Sequence, residues 1–216
     1  MDNFGMDPRN KKRKAWLIVG VILGLFLLIA GSTFVSVWNN LNRKYQAVQG
    51  ARSHYSAALN TSTQKIKGVW EIAQQYLEHE SETFLEISMA RSNYQQAVEE
   101  YEQAKQEGAD ARKMTTTGAN ALKAALAFQV QVEAYPQLQS ADVARDNIRN
   151  MEVAVNEVKT ALDDWIYAIR DYNTYRGMFV PSMLGAFMGN QFPGQMEYYE
   201  GDITELDVES LNPENK

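Results

Sequence analysis

The sequence predicts an all-α protein, an N-terminal transmembrane helix continuing into an elongated antiparallel helical bundle. Three observations point there. Residues 15–37 are a run of twenty-three without a charge, dominated by Leu, Ile, Val, Gly and Phe. Downstream, apolar and aromatic residues recur at alternating spacings of three and four, the signature of helices with one buried stripe. Finally, no proline stands between Pro8 and Pro136, so nothing in that stretch must break a helix.

The apolar run comes first. At ~1.5 Å per residue it spans roughly 34 Å, enough to cross a hydrocarbon core of about 30 Å. Trp16 and Trp38 mark its two ends, where an indole suits the headgroup level. Arg9, Lys11, Lys12, Arg13 and Lys14 precede the run, while only Arg43, Lys44 and Arg52 come closely after it. This asymmetry predicts a single-pass protein of the cell (inner) membrane, N-terminus in the cytoplasm and bulk of the chain outside it. A cleaved signal peptide is the rival reading, with Ala30-Gly31-Ser32 as the cleavage site, although its apolar region would be unusually long. Within the run, Gly20, Gly24 and Gly31 fall on one helical face, and Gly20-xxx-Gly24 is a spacing that lets two membrane helices approach closely.

Past the membrane a packing seam runs through Trp38, Leu41, Tyr45, Val48, Tyr55, Leu59, Ile66, Val69, Ala73 and Tyr76. Its phase slips at Leu77 and resumes through Phe84, Ile87, Tyr94, Val98 and Tyr101, which reads as a stutter inside one helix reaching about Glu107. The poor helix formers Asn60-Thr61-Ser62-Thr63 are the place for a break or kink, and the pattern leaves continuity there open. Gly108 to Gly118, with three consecutive threonines, reads as a loop; Ala119 to Tyr135 reads as a helix stopped by Pro136. The last long helix shows the cleanest seam: Met151, Val155, Val158, Leu162, Trp165, Ile169 and Tyr172.

The C-terminal end differs in kind. Residues 179–193 combine Met and Phe with Gly and Pro, a segment too short to span a bilayer and too apolar for a free loop. Packing back on the bundle end is the simpler reading. Docking on a neighbouring subunit or a membrane surface through Phe179, Met183, Phe187, Met188 and Phe192 is the functional one. Residues 200–216 are acidic and lack aromatics, and loose structure is expected there. The domain plan is therefore a basic lead (1–14), an anchor (15–38), a bundle (39–178), a Met/Phe-rich packing segment (179–199) and an acidic tail (200–216).

Composition narrows the function classes. The 216 residues carry a net charge of −6 and no cysteine, which excludes disulfides, thiol catalysis and thiolate metal sites. Mean hydropathy is −0.41, so the chain outside the anchor is polar. Residues 1–14 carry +3 and residues 197–216 carry −6, leaving a mildly acidic middle without the basic stripe a nucleic acid would need. His79-Glu80 begins like a zinc-protease motif, but Thr83 stands where the second histidine belongs. A di-iron bundle needs Glu three residues before His, and Tyr76 and Ala51 precede His79 and His54 at that spacing. Glu78, Glu80, Glu82 and Glu86 read as a solvated acidic face, and His79 as a surface histidine or a pH-sensitive contact. The expectation is a protein without catalytic residues, cofactor or metal.

Several segments together carry a resemblance: His79-Glu80, Ala90-Arg91, Glu133-Ala134-Tyr135-Pro136 with Leu138, then Asn156, Val158, Ala161, Tyr172 and Asn173, and a closing Val180-Pro181. From the anchor to about residue 200 the chain resembles the LemA family. It departs from that pattern at Thr61-Ser62, at Lys67 where a proline is usual, and at Val155 and Glu157 beside Asn156. The resemblance implies a membrane-anchored antiparallel bundle of a bacterium and supplies no activity; some relatives are associated with shaping internal membranes and others with membrane proteases. The function expected is a self-associating scaffold whose partners are membrane lipid and further copies of itself, with an adaptor for another membrane protein, such as a protease, as the alternative.

Overall fold

The computed structural model describes residues 8–77, 81–135, 138, 142–185 and 192–202. Every regular element among them is helical: α1 (Pro8–Leu77), α2 (Ser81–Gln106), α3 (Ala111–Glu133), α4 (Asp142–Gly177) and the short α5 (Phe179–Gly185). At ~1.5 Å per residue the 70 residues of α1 extend roughly 105 Å, joining the apolar run to the bundle without interruption. Residues 60–68 lie inside this helix; the hydroxyls of Thr61 and Thr63 donate to the carbonyls of Ala57 and Leu59, so these threonines turn their polarity onto the helix itself.

The phase slip at Leu77 has a different meaning from the expected stutter. Trp70 stacks on Phe84, Thr63 bonds Tyr94, and Tyr55 meets Tyr101, so α2 runs antiparallel to α1. Helix α1 ends at Leu77, and α2, which starts at Ser81, runs the opposite way. A four-residue step in the apolar pattern is equally compatible with a supercoil adjustment and with two helices whose seams face each other, and only the contacts across the hairpin separate the two.

The loop expected over residues 108–118 is much shorter. Gly108, at φ +66°, ends α2 with paired bonds, Ala109 N–H to Ala104 C=O and Gly108 N–H to Lys105 C=O, the two-bond glycine cap of helix ends. Asp110 then accepts from the Lys113 N–H at 2.7 Å and starts α3 at once. The threonines are helical because Thr115 and Thr117 bond the Ala111 and Lys113 carbonyls, and because Gly118 allows the Tyr55 ring to approach.

Helix α4 returns antiparallel along α1: Lys44 pairs with Asp171, Tyr55 meets Trp165, and His54 pairs with Glu157. The result is an up-down-up-down bundle in which α1 packs chiefly on α4 and α2 chiefly on α3. Its core includes Leu41, Tyr55, Leu59, Ile66, Ile87, Tyr94, Tyr101, Leu122 and Phe128, together with Met151, Val155, Val158, Leu162, Trp165, Ile169 and Tyr172 of α4. Tyr76 of the first seam is exposed, because it stands where α1 ends.

Candidate functional site

Two features at one end of the bundle carry what is distinctive about the chain: the apolar part of α1 and the segment that closes the bundle beside it. Among the described residues α1 alone is long and apolar enough to cross a membrane, and its apolar stretch is not buried in the fold. Trp16 and the aliphatic and aromatic residues from Leu17 to Ile29 are exposed, and so are Phe34 and Val35. Ser32 and Thr33 return their hydroxyls to the Ile29 carbonyl, which satisfies them without water. Nothing lies within 4 Å of a Cβ built at Gly20, Gly24 or Gly31, so that face is open in the single chain.

The C-terminal segment 192–202 closes the bundle where the α2–α3 hairpin is too short. That hairpin ends near Ser56, which bonds the Tyr101 hydroxyl, whereas the α1–α4 pair extends further toward the apolar run. The gap is filled from Phe192 onward. Phe192 is 7% exposed and meets Trp38 edge-on at 5.1 Å and Tyr45 at 6.4 Å. Tyr172 then donates to the Pro193 carbonyl at 2.6 Å, and Asn173 makes a double bond pair with the Met196 backbone, donating to its C=O at 2.8 Å and accepting from its N–H at 2.9 Å. Further along, the Tyr199 N–H donates to the Thr115 hydroxyl at 2.8 Å, and Lys123 and Arg112 reach Tyr199 and Glu197. This strap ties α4 to α3 at the level where α1 enters the bundle.

The residues singled out in the sequence fall into separate places. Trp38 is half-buried between Phe34 and Phe192, whereas Trp16 is free of the fold. Phe179 and Met183 are exposed on α5, and Phe192 is committed to its own chain. Tyr172 and Asn173 hold the strap; Glu133 accepts from Gln129 at the end of α3, Tyr135 bonds Glu86 of α2, and Asn156 is exposed on α4. His79, Glu80, Pro136, Phe187 and Met188 lie outside the described residues, as does the acidic tail from residue 203. The sequence analysis placed most of the strap in the packing segment 179–199; what it did not show is which side chains of α3 and α4 would hold it.

Burial perturbs the tyrosines at the bundle centre. Desolvation pushes the phenol of Tyr55 well above its ordinary value, reinforced by the neighbouring Tyr101, and desolvation also raises Tyr94 and Tyr101 against the hydrogen bonds from Thr63 and Ser56. The folded pKa values therefore exceed the unfolded value of about 10, so the stabilisation is complete below pH ~10 and is lost as pH rises through the folded values. Circular dichroism between pH 8 and 12 is expected to show alkaline unfolding beginning near pH ~10, less steep in Tyr94→Phe.

Among the described residues no three His, Cys, Asp or Glu side chains come together as a metal site. The open cleft beside the strap is lined by Arg112, Thr116, Asn173 and Tyr198, with Arg112 already paired to Glu197 at 2.9 Å. A family model described as the LemA family matches residues 53–208, which include most of the bundle and the whole strap. The chain belongs to the LemA family. No curated protein matches it. The LemA match starts inside α1 at Ser53, so the apolar run stands outside it, while Tyr172, Asn173 and the strap they hold stand within it. Asn173→Ala is expected to leave both Met196 backbone groups unpaired, at a cost of about 1–2 kcal/mol. In hydrogen exchange the amides of residues 195–201 should then open about tenfold faster, with α4 unchanged.

Proposed function

We propose that this LemA-family protein is a membrane-anchored, non-enzymatic scaffold that self-associates through its helices and organises or shapes the bilayer. The N-terminus lies in the cytoplasm of a bacterial cell, on the strength of the basic lead before the span, and the bundle lies outside. One observation carries the reading: α1 is a single helix from the apolar run into the bundle core, so two spans that meet in the bilayer set the spacing and orientation of two bundles. The open Gly20, Gly24 and Gly31 face supplies a surface for that meeting, because small residues let membrane helices approach closely. Partners are membrane lipid and further copies of the chain; the mildly acidic body disfavours nucleic acid.

Mass photometry and cross-linking after gentle detergent extraction test it. Oligomers are expected, weakened when Gly20 and Gly24 are replaced by leucine. Monomers alone would overturn the scaffold. The adaptor reading draws on Val153 and Tyr167, large apolar side chains exposed on the outer side of α4. It requires a different chain to co-purify with the full-length protein at a fixed ratio.

A further inference from the structure

We infer that α5 is a second membrane contact, a foot that rests in the interfacial layer beside the point where α1 enters the bilayer. The inference rests on the reading of residues 15–37 as a span.

Position is the first support. Helix α4 descends antiparallel to α1, and Asp171 pairs with Lys44. Gly177 ends α4 six residues further on, about 9 Å nearer the apolar run at ~1.5 Å per residue, which is the level of Trp38. Helix α5 starts at Phe179, touches both α1 and α4, and the chain is back against Trp38 by Phe192. Helix α5 and Phe192 therefore both lie at the end of the bundle that faces the membrane.

Side-chain distribution is the second. Pro181 is buried and Leu184 packs on the core, so these two hold α5 to the bundle. The outward side carries Phe179, 77% exposed, with Met178, Val180 and Met183 also exposed. No charged residue occurs from Gly177 to Met196, twenty residues bracketed by Arg176 and Glu197. An apolar surface of this kind on a mildly acidic protein needs cover. The bilayer is the cover already at that level, where α1 exposes Phe34 and Val35 within one turn of Trp38. Phenylalanine and methionine side chains at the boundary of headgroup and acyl chain bury apolar area there, while Arg176 stays with the fold, its guanidinium against Gly185 and bonded to Tyr172. With span and foot both engaged, the bundle is held at two points and cannot swing freely about α1.

The chain has no native cysteine, so single labels are clean. Phe179→Cys, Met183→Cys, Phe26→Cys and Tyr167→Cys would each carry an environment-sensitive fluorophore on the full-length protein, in vesicles of phosphatidylcholine with brominated acyl chains. All four positions are exposed in the fold, so the labels leave the core intact. Quenching by bromine with blue-shifted emission is expected at 179 and 183 as at 26, and not at 167. Quenching at 26 with water-like emission at 179 and 183 overturns the foot and leaves the span standing. Blue-shifted emission at 179 without bromine quenching, lost on dilution into excess lipid, overturns it in favour of contact with a second copy. Absence of quenching at 26 overturns the span itself, and the foot with it.

Discussion

Tyr55→Ala is expected to destabilise the bundle by about 3–5 kcal/mol, the cost of deleting a fully buried aromatic ring that its neighbours cannot replace. Tyr55 is the residue on which four helices meet. It stands on α1, its ring lies against Tyr101 of α2 at 5.2 Å and Trp165 of α4 at 5.7 Å, and its hydroxyl donates to the Gly118 carbonyl of α3 at 2.8 Å. Tyr55→Phe removes only the hydrogen bond and should cost about 1 kcal/mol. Gly118→Ala makes the sharper test. Helix propensity alone favours alanine by about 1 kcal/mol. A Cβ there would meet the Tyr55 ring at 3.2 Å, however, and that ring is held from behind by Tyr101 and Trp165. The net effect is expected to be destabilising. Urea titration of the full-length protein in detergent, monitored by tryptophan fluorescence, measures all three; a neutral or stabilising Gly118→Ala would show that the ring is not confined.

The second large effect concerns the span. Residues 15–37 contain fourteen Leu, Ile, Val and Phe side chains, and at about 0.3–0.6 kcal/mol each they favour insertion by about 4–8 kcal/mol. An arginine near the helix centre costs about 2.5–3.5 kcal/mol. Leu23→Arg together with Leu27→Arg therefore offsets most or all of the gain. The double variant is expected to appear in the supernatant after alkaline carbonate extraction of membranes, while the unmodified chain stays in the pellet. Continued retention of the variant in the pellet would count against residues 15–37 as the spanning element.

Much of the architecture arises from local pattern. The α4 stripe from Met151 to Tyr172 and the α1 stripe from Leu41 to Ala73 are inside the bundle because residues three and four apart share a helix face, and an apolar face must be covered. Gly108 ends α2 because it is the one residue type that enters positive φ without strain. Pattern failed where its period is ambiguous or its propensities are weak. The three threonines of α3 look like a loop to any propensity scale, yet Asp110 caps the helix they belong to and the hydroxyls of Thr115 and Thr117 bond back onto it. The step at Leu77 is the same in sequence whether a helix continues or its successor folds back.

The sequence alone determined the uncharged run, the basic residues before it and the stripes that make helices of the residues beyond it, since each depends on side chains near one another along the chain. Only the tertiary structure decided that α2 turns back along α1, and which side chains hold Phe192 to Tyr199 against the bundle beside the apolar run. The strap is held by Tyr172, Asn173 and Thr115, through hydrogen bonds to backbone groups 21 to 84 residues away. Backbone groups are the same in every residue, so no periodicity or motif records which of them a distant side chain will meet.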